Sequence, residues 1–482
     1  MQDALKSLEP QSLWQHFDQL LSIPHSSGHE EKVAKWLLDF AREHNFEAHQ
    51  DKAGNVIMNV PATPGRENRP LLILQSHMDM VAVAAPNISH DFTTDPISVY
   101  EQDGFIRAKG TTLGADDGIG IATTLSIFED RSLEHGPLKG IFTVEEETTM
   151  KGALSLSSED LKGDFLLNLD SEDNGYLFVS CAGSCDADID YDFERVTVED
   201  CEALEISLTG FSGGHSGSDI NKGHGNAILN MAHILSAVSD DCDFFLTDYR
   251  GGQARNSIPT ECFATVCIPY GTSDKFKESF TTALEQVKNV YSRTDAAISV
   301  CFAKAQVKPA LSYADTLGFI HMLAALPNGP SRMWDTDPDI VQTSCNTGVV
   351  CTTDTAIRVK LMPRSLSETA LSLFLNTLTS LVSLLDNVQL QISNRHPCWS
   401  SPEDNALIRA LNAGYRQVTG NDFKITAIHA GLECAQYTVA NPQLQQASIG
   451  ATVSNPHSPM ERVDIQGVRD VYETVRRAIV AL

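Results

Sequence analysis

At 482 residues the chain is too long for one compact core, so two or more domains are expected. Hydrophobic residues at 42% and charged residues at 20% are ordinary for a water-soluble globular protein. With 35 basic against 63 acidic residues the formal charge is −28, which argues against nucleic acid or an anionic membrane as main partner, because binding phosphate needs clustered Lys and Arg.

The opening residues, Met1-Gln2-Asp3-Ala4-Leu5-Lys6, have no basic start leading into an apolar run, so no secretory leader is expected. Eleven cysteines lie scattered without a CxxC pair. An odd count of that kind suits reduced thiols and a cytoplasmic location. Val33, Trp36, Leu37 and Phe40 make a helical stripe ahead of a strand expected at 55–60. Leu71-Leu72-Ile73-Leu74 is a short continuous apolar run, as in a strand buried on both faces. A helix is expected after Gly118, and further strands at 141–144 and 165–169. This alternation predicts an α/β layer on a mostly parallel central sheet.

The pattern changes near Cys185. Strands are expected at 204–208, 244–249, 262–268 and 297–302, with helices at 227–238 and 276–291. A similar set follows: a helix at 317–326, strands near Ile340 and Ile357, a helix at 369–385 and a strand at 388–392. These read as two α+β units in series. The stretch 369–385 lacks charge, but Ser, Thr and Asn interrupt it, and it is shorter than the ~20 residues of a membrane span. Its Leu371, Phe374, Leu375, Leu378, Leu381, Val382 and Leu385 fall at helical spacing, so a packed amphipathic helix is expected. Residues 397–402 read as a linker, after which helix, strand, loop and final helix return. The simplest organisation is one α/β domain, 1–185 plus 396–482, interrupted by an α+β insertion, 186–395.

Candidate chemistry sits at strand ends. In Gln75-Ser76-His77-Met78-Asp79, residues two apart face the same way in extended chain, so His77 and Asp79 can meet. A metal-binding His usually gives its second N–H to a carboxylate or carbonyl. Gly110-Thr111-Thr112-Leu113-Gly114-Ala115-Asp116-Asp117-Gly118 resembles a nucleotide loop, but no P-loop lysine follows and two adjacent carboxylates would repel phosphate. A carboxylate bridging two cations fits better for Asp116, while Asp117 suits a helix N-cap. Glu145-Glu146-Glu147 ends an apolar strand; such clustering is costly without cations, although a solvated acidic loop would look the same. Asp170 ends another strand, and Asn455-Pro456-His457 is a rigid loop with one His. Ligand sites of open α/β sheets lie outside the carboxyl ends of the strands. His and carboxylate donors with little thiolate suit zinc, with manganese or cobalt as options.

Taken together, Ser76-His77-Met78-Asp79, Gly114-Ala115-Asp116-Asp117-Gly118, Glu145-Glu146-Glu147, Asp170 and Asn455-Pro456-His457 resemble the motifs of the dinuclear zinc exopeptidases related to carboxypeptidase G and peptidase T. Ile23-Pro24-His25, His90-Asp91-Phe92-Thr93 and His429-Ala430-Gly431-Leu432-Glu433-Cys434 are similar to the aminoacyl-histidine dipeptidase (Xaa-His dipeptidase, peptidase D) branch. The resemblance runs along nearly the whole chain and implies a zinc-exopeptidase-like catalytic domain with an inserted lid of two ferredoxin-like units. It also implies two divalent metal ions bridged by Asp116. His77 and Asp170 would complete one site, and Glu147 and His457 the other. Asp79 would orient His77, and Glu146 would be the general base that activates a metal-bridging water. A cis peptide would follow Asp116. The usual family string has Asp-Glu-Glu followed by a small residue and Gly, whereas Thr148-Thr149 follow here. A register with Glu145 as base and Glu146 as ligand therefore stays open, with Met150-Lys151-Gly152-Ala153 favouring the first.

In the insertion, His215 of Gly213-Gly214-His215-Ser216-Gly217, Asn256 and Arg364 match the family's substrate contacts, and an Arg fork suits a terminal carboxylate. The implied function is hydrolysis of small peptides: broad cleavage of dipeptides with a free amino terminus, including Xaa-His dipeptides such as carnosine. Alternatives are an amidohydrolase removing an acyl group from amino acids, or a catalytically silent metal-binding protein. A homodimer through the lid is expected, with no nucleic acid or membrane partner.

Overall fold

The strand Leu72–His77 is buried along its whole length, as its apolar run requires of a strand covered on both faces. It lies inside a sheet ordered Glu47–Gln50, Val56–Val60, Leu138–Thr143, Leu72–His77, Phe165–Asn168, Gln445–Ser448, Tyr176–Cys181 and Trp399–Ser400. The computed structural model describes every residue except Thr336 and Glu403. The middle four strands, 138–143 through 445–448, pair in parallel. The strands on the Glu47–Gln50 side run antiparallel, as does Tyr176–Cys181 on the other. The parallel register sets His77 opposite Thr143, and Gln75 opposite Asn168, so these strands finish together at one edge.

The helix Ala115–Glu129 is buried almost throughout and packs against Gln11–Leu21 and the strand Leu72–His77. It begins earlier than the sequence pattern suggests, with Asp116 and Asp117 in non-helical conformations joined by a cis peptide. The amphipathic helices Ala406–Thr419 and Ile465–Ala481 pack together. Within the expected linker at 397–402, Trp399–Ser400 forms a short strand of the sheet. Trp399 is 1% exposed, its carbonyl accepts from Ser180 Oγ at 2.8 Å, and Ser401 N donates to Val179 O at 2.7 Å. Burying so large a side chain outweighs the loop tendency of the flanking prolines and serines.

By contact clustering these elements form one unit, Met1–Ser180, Trp399–Ala427 and Leu432–Leu482; the other is Cys181–Cys398 with Ile428–Gly431. The second unit has a sheet ordered Ser299–Ala305, Cys201–Thr209, Cys262–Pro269, Phe245–Gly251, Val341–Thr352, Ala356–Ser365, Gly183–Asp192 and Val388–His396, antiparallel in every pairing. It contains two βαββαβ motifs. One uses Cys201–Thr209, helix Ala227–Val238, Phe245–Gly251, Cys262–Pro269, helix Ser273–Val290 and Ser299–Ala305. The other uses Gly183–Asp192, helix Tyr313–Ala325, Val341–Thr352, Ala356–Ser365, helix Glu368–Val382 and Val388–His396. They are nested rather than in series: the first motif is spliced in after the opening strand of the second. The uncharged stretch forms the helix Glu368–Val382, whose Leu371, Phe374, Leu375, Leu378 and Val382 are buried. Ser367 caps it by accepting from Ala370 N. Among the described residues no helix is long and apolar enough to cross a membrane.

Candidate metal centre

Two strand ends and two loops of the first unit converge on Asp116. His77, at the end of its buried strand, is 1% exposed, and its Nε2 lies 3.0 Å from Asp116 Oδ1 and 3.4 Å from Asp170 Oδ1. On the other side His457 Nε2 is 3.3 Å from Asp116 Oδ2 and 2.9 Å from Glu147 Oε2. Asp116 thus gives one oxygen to each of two donor sets, His77–Asp116–Asp170 and Asp116–Glu147–His457. Within each set the donor atoms lie within 4.8 Å of one another, close enough to hold a metal ion.

The hydrogen-bond chemistry fits a cation in each set. His77 Nδ1 lies 2.9 Å from the Asp79 carbonyl, which can only accept, so Nδ1 carries the hydrogen. His77 Nε2, with two carboxylate oxygens before it, then needs a proton or a cation. Burial opposes that proton, yet Asp170, Asp116 and Asp79 hold His77 well above its usual range. Hydrogen bonds to Asp116 and Glu147 push His457 up to about 11. Burial would raise Asp116, but His457 and His77 hold it below the usual carboxylate range. Burial pushes Asp170 well up and Glu147 up as well. Glu147 Oε1 is buried with no hydrogen-bond donor among the described residues. An acidic cluster of this kind is costly until positive charge enters it.

The neighbouring residues fix these donors. Asp79 does more than face His77: its carboxylate accepts from Glu146 N at 3.0 Å, Glu147 N at 3.2 Å and Ser27 Oγ at 2.8 Å, and stands 3.5 Å from His77 Nδ1. One carboxylate therefore ties the end of the His77 strand to the glutamate loop. Asp117 accepts from Gly120 N at 3.1 Å and from His77 N at 3.3 Å, the helix-capping role expected of it. A Cβ on Gly120 would collide with the Ser76 hydroxyl and the Asp117 carboxylate, so only glycine lets the helix approach this strand. Of the three glutamates, Glu147 enters the second set. Glu146 is held far above its usual range by burial, with Glu433, Glu147 and Asp116 adding to the effect and His77 opposing it. Glu145 is paired with Lys151.

Two buried acids have no role in the sequence reading, where Glu433 stands only within a motif and Glu461 is absent. Glu433 is fully buried and accepts from Gln75 Nε2 at 2.5 Å and Thr143 Oγ1 at 2.9 Å, joining the ends of two parallel strands. Glu461, 3% exposed, accepts from three backbone amides just ahead of Asp116. Neither has a local signature, because Glu433 answers to side chains and Glu461 to amides far away in sequence.

The second unit holds the remaining candidates. His215 pairs with Ser257 across a short antiparallel bridge, and Ser216 N donates to Asn256 O at 2.8 Å, so His215 and Asn256 belong to one loop pair. His215 Nδ1 accepts from Gly217 N at 3.3 Å, which leaves the ring hydrogen on Nε2. Asn346 Nδ2 donates to Arg255 O and Ser257 O, both at 2.8 Å, and pins that pair to the strand Val341–Thr352. On the same strand Ser344 lies opposite Arg364, and its hydroxyl meets His429 Nε2 at 2.7 Å. Arg364 is 6% exposed, with Met362 Sδ at 3.4 Å from Nη2 and no partner for Nε; no carboxylate pairs with it among the described residues. Burial pushes Arg364 down to about 10 and, with the Arg364 charge adding, His429 down to about 3. A buried guanidinium without a counter-ion is a ready site for an anion. His429 was quoted in the sequence motif without a role.

The chain is similar to known proteins along nearly its whole length. The chain is 36% identical over 466 residues to the cytosol non-specific dipeptidase of Escherichia coli strain K12, covering 96% of each sequence. Its fold superposes on the crystal structure of aminoacylhistidine dipeptidase from Vibrio alginolyticus with a TM-score of 0.89 at 37% identity, over 99% of this chain and 97% of that one. The aminopeptidase PepT of Bacillus cereus shares the fold at 14% identity, with a TM-score of 0.58 over 98% of this chain and 99% of that one. The sequence model of peptidase family M20/M25/M40 matches residues 73–481, from the His77 strand through the His457 loop to the last helix. The chain therefore belongs to peptidase family M20/M25/M40.

Proposed function

We propose that the chain is a cytoplasmic metal-dependent dipeptidase acting broadly on dipeptides with a free amino terminus, Xaa-His dipeptides such as carnosine among them. The observation that carries this reading is Asp116, facing His77 through one oxygen and His457 through the other. Breadth, Xaa-His cleavage and location draw support from the names of the Escherichia coli and Vibrio alginolyticus relatives.

In this reading His77 and Asp170 hold one divalent ion, Glu147 and His457 the other, and Asp116 both. Imidazole and carboxylate donors suit zinc, with cobalt or manganese able to replace it. Two such ions supply positive charge that polarises the scissile carbonyl and makes a water easier to deprotonate. Glu146 takes the proton of the attacking water and returns it to the leaving amine. The Glu145–Lys151 pair supports the register that makes Glu146 the base. Asp79 keeps His77 and the Glu146–Glu147 backbone in one piece. Arg364 binds the substrate's terminal carboxylate, with Asn256 and His215 as further substrate contacts and the second unit acting as a lid.

The test is a panel of dipeptides and their N-acetylated counterparts, offered to protein loaded with zinc, manganese or cobalt. Unblocked dipeptides, Xaa-His included, should be cleaved and blocked ones spared. Equal turnover of the two groups would favour an amidohydrolase, and no turnover with any metal a silent protein.

A further inference from the structure

Glu461 lies four residues beyond His457 and contacts none of the candidate metal donors. Both its oxygens are engaged: Oε2 accepts from Leu113 N at 2.7 Å and Gly114 N at 3.2 Å, and Oε1 accepts from Ala115 N at 2.8 Å. Three successive amides converge on one carboxylate because Gly114 turns the chain with φ +72°, a conformation that favours glycine. The next residue is Asp116. Glu461's own loop is equally constrained. Glu461 N donates to Ser458 O at 3.0 Å, and Ser458 Oγ donates to Asn455 O at 2.9 Å, closing the turn that carries His457. Immediately downstream, Arg462–Asp464 pairs with Phe105–Ala108. Glu461 is thus the point at which the loop bearing His457 is fastened to the loop bearing Asp116.

We propose that Glu461 is a positioning residue of the metal centre: it holds His457 and Asp116 at their working separation and thereby sets the affinity of the Asp116–Glu147–His457 set for its ion. This rests on the metal reading given above. The two sets should depend on Glu461 unequally. His77 and Asp170 lie at the ends of buried parallel strands and hold their places through the sheet. His457 sits in the loop between the paired strands Val453–Ser454 and Arg462–Asp464, with a side chain 51% exposed, and Glu461 is the carboxylate that joins this loop to the one bearing Asp116. A purely structural Glu461 would, when removed, lower stability and leave the two affinities in their original ratio.

Glu461→Gln keeps the size of the side chain but sets an NH2 group against amide donors, breaking part of the cradle. The experiment titrates metal-free full-length wild type and Glu461→Gln with zinc in competition with a chromogenic chelator, and measures the thermal midpoint of each metal-free protein alongside. Outer partners of metal ligands are typically worth 10–100-fold in affinity. The expected result is a loss of about tenfold or more at one of two sites, with less than about threefold at the other. Two ions bound as in wild type, or both sites weakened equally, would overturn the proposal while leaving the function intact. A wild type that binds fewer than two ions would overturn the metal reading itself, and this inference with it. If Glu461→Gln does not fold, Glu461→Asp, which keeps the charge but shortens the reach, decides by the same titration.

Discussion

The Glu145 carboxylate reaches the Lys151 ammonium at 2.6 Å, while Thr149 Oγ1 donates to its other oxygen at 3.1 Å. That pair holds the first of three consecutive glutamates toward the surface. The amides of the next two turn onto Asp79. One short acidic run is thereby divided: Glu145 in a surface ion pair, Glu146 as the proposed base and Glu147 as the proposed metal donor.

Glu146→Gln tests the division. Glutamine keeps the size but cannot take a proton, so kcat should fall by roughly 10²–10⁴-fold, the usual worth of general base catalysis. Metal content by elemental analysis should stay at the wild-type value. Glu145→Gln, which disturbs only an exposed ion pair of the kind that contributes little, should stay near wild-type activity. The reverse ranking of the two variants would move the base to Glu145.

Removal of metal should inactivate the protein and destabilise it, because only protons on His77 and His457 then stand against the crowded Asp116, Glu147 and Asp170 in place of two divalent charges. A ligand that binds only the folded state adds about 2.7 kcal/mol of stability at a hundred times its dissociation constant. Chelator-treated protein should therefore melt lower than the zinc-loaded form, and zinc should restore both melting temperature and turnover. Full activity at negligible metal content would count against the proposed chemistry.

Much of this site can be read from the amino-acid order, because donors at the ends of apolar strands leave a local trace: Leu72–Leu74 before His77, Phe142–Val144 before the glutamates, Phe165–Leu167 before Asp170. The helix-capping part of Asp117 was legible for the same reason. Other features depend on contacts between distant segments. Glu461 meets backbone amides, which every residue but proline can offer, so no sequence pattern marks it. The strand Gly183–Asp192 belongs to a motif completed only at Val388–His396, which hid the nesting of the two βαββαβ units. Trp399 looked like part of a linker because strand pairing at a sheet edge has no periodicity over two residues.

Substitution of Arg364 should separate binding from stability. Its guanidinium is buried with neither a carboxylate nor a partner for Nε among the described residues, which costs the free protein stability. Arg364→Met keeps the apolar stem and removes the charge. The thermal midpoint should hold or rise, while KM for dipeptides increases by tenfold or more and KM for dipeptide amides, which lack the terminal carboxylate, changes little. A variant with both a lower midpoint and unchanged KM would show that the residue serves packing alone.

His429 gives a pH-dependent signature within the same cradle. Burial, helped by the Arg364 charge, holds its folded-state value at about 3, below the usual 6.5. The unfolded chain therefore binds a proton between those values while the folded chain does not, so stability falls as pH drops through 6.5. At pH 5 the unfolded state gains about 2 kcal/mol from this one group relative to pH 7. His429→Gln keeps a polar partner for Ser344 and removes the titration. In urea denaturation, wild type should lose about 2 kcal/mol more than this variant on going from pH 7 to pH 5. Equal losses would mean that His429 takes up its proton in the folded state too, and that the Arg364 charge does not act on it.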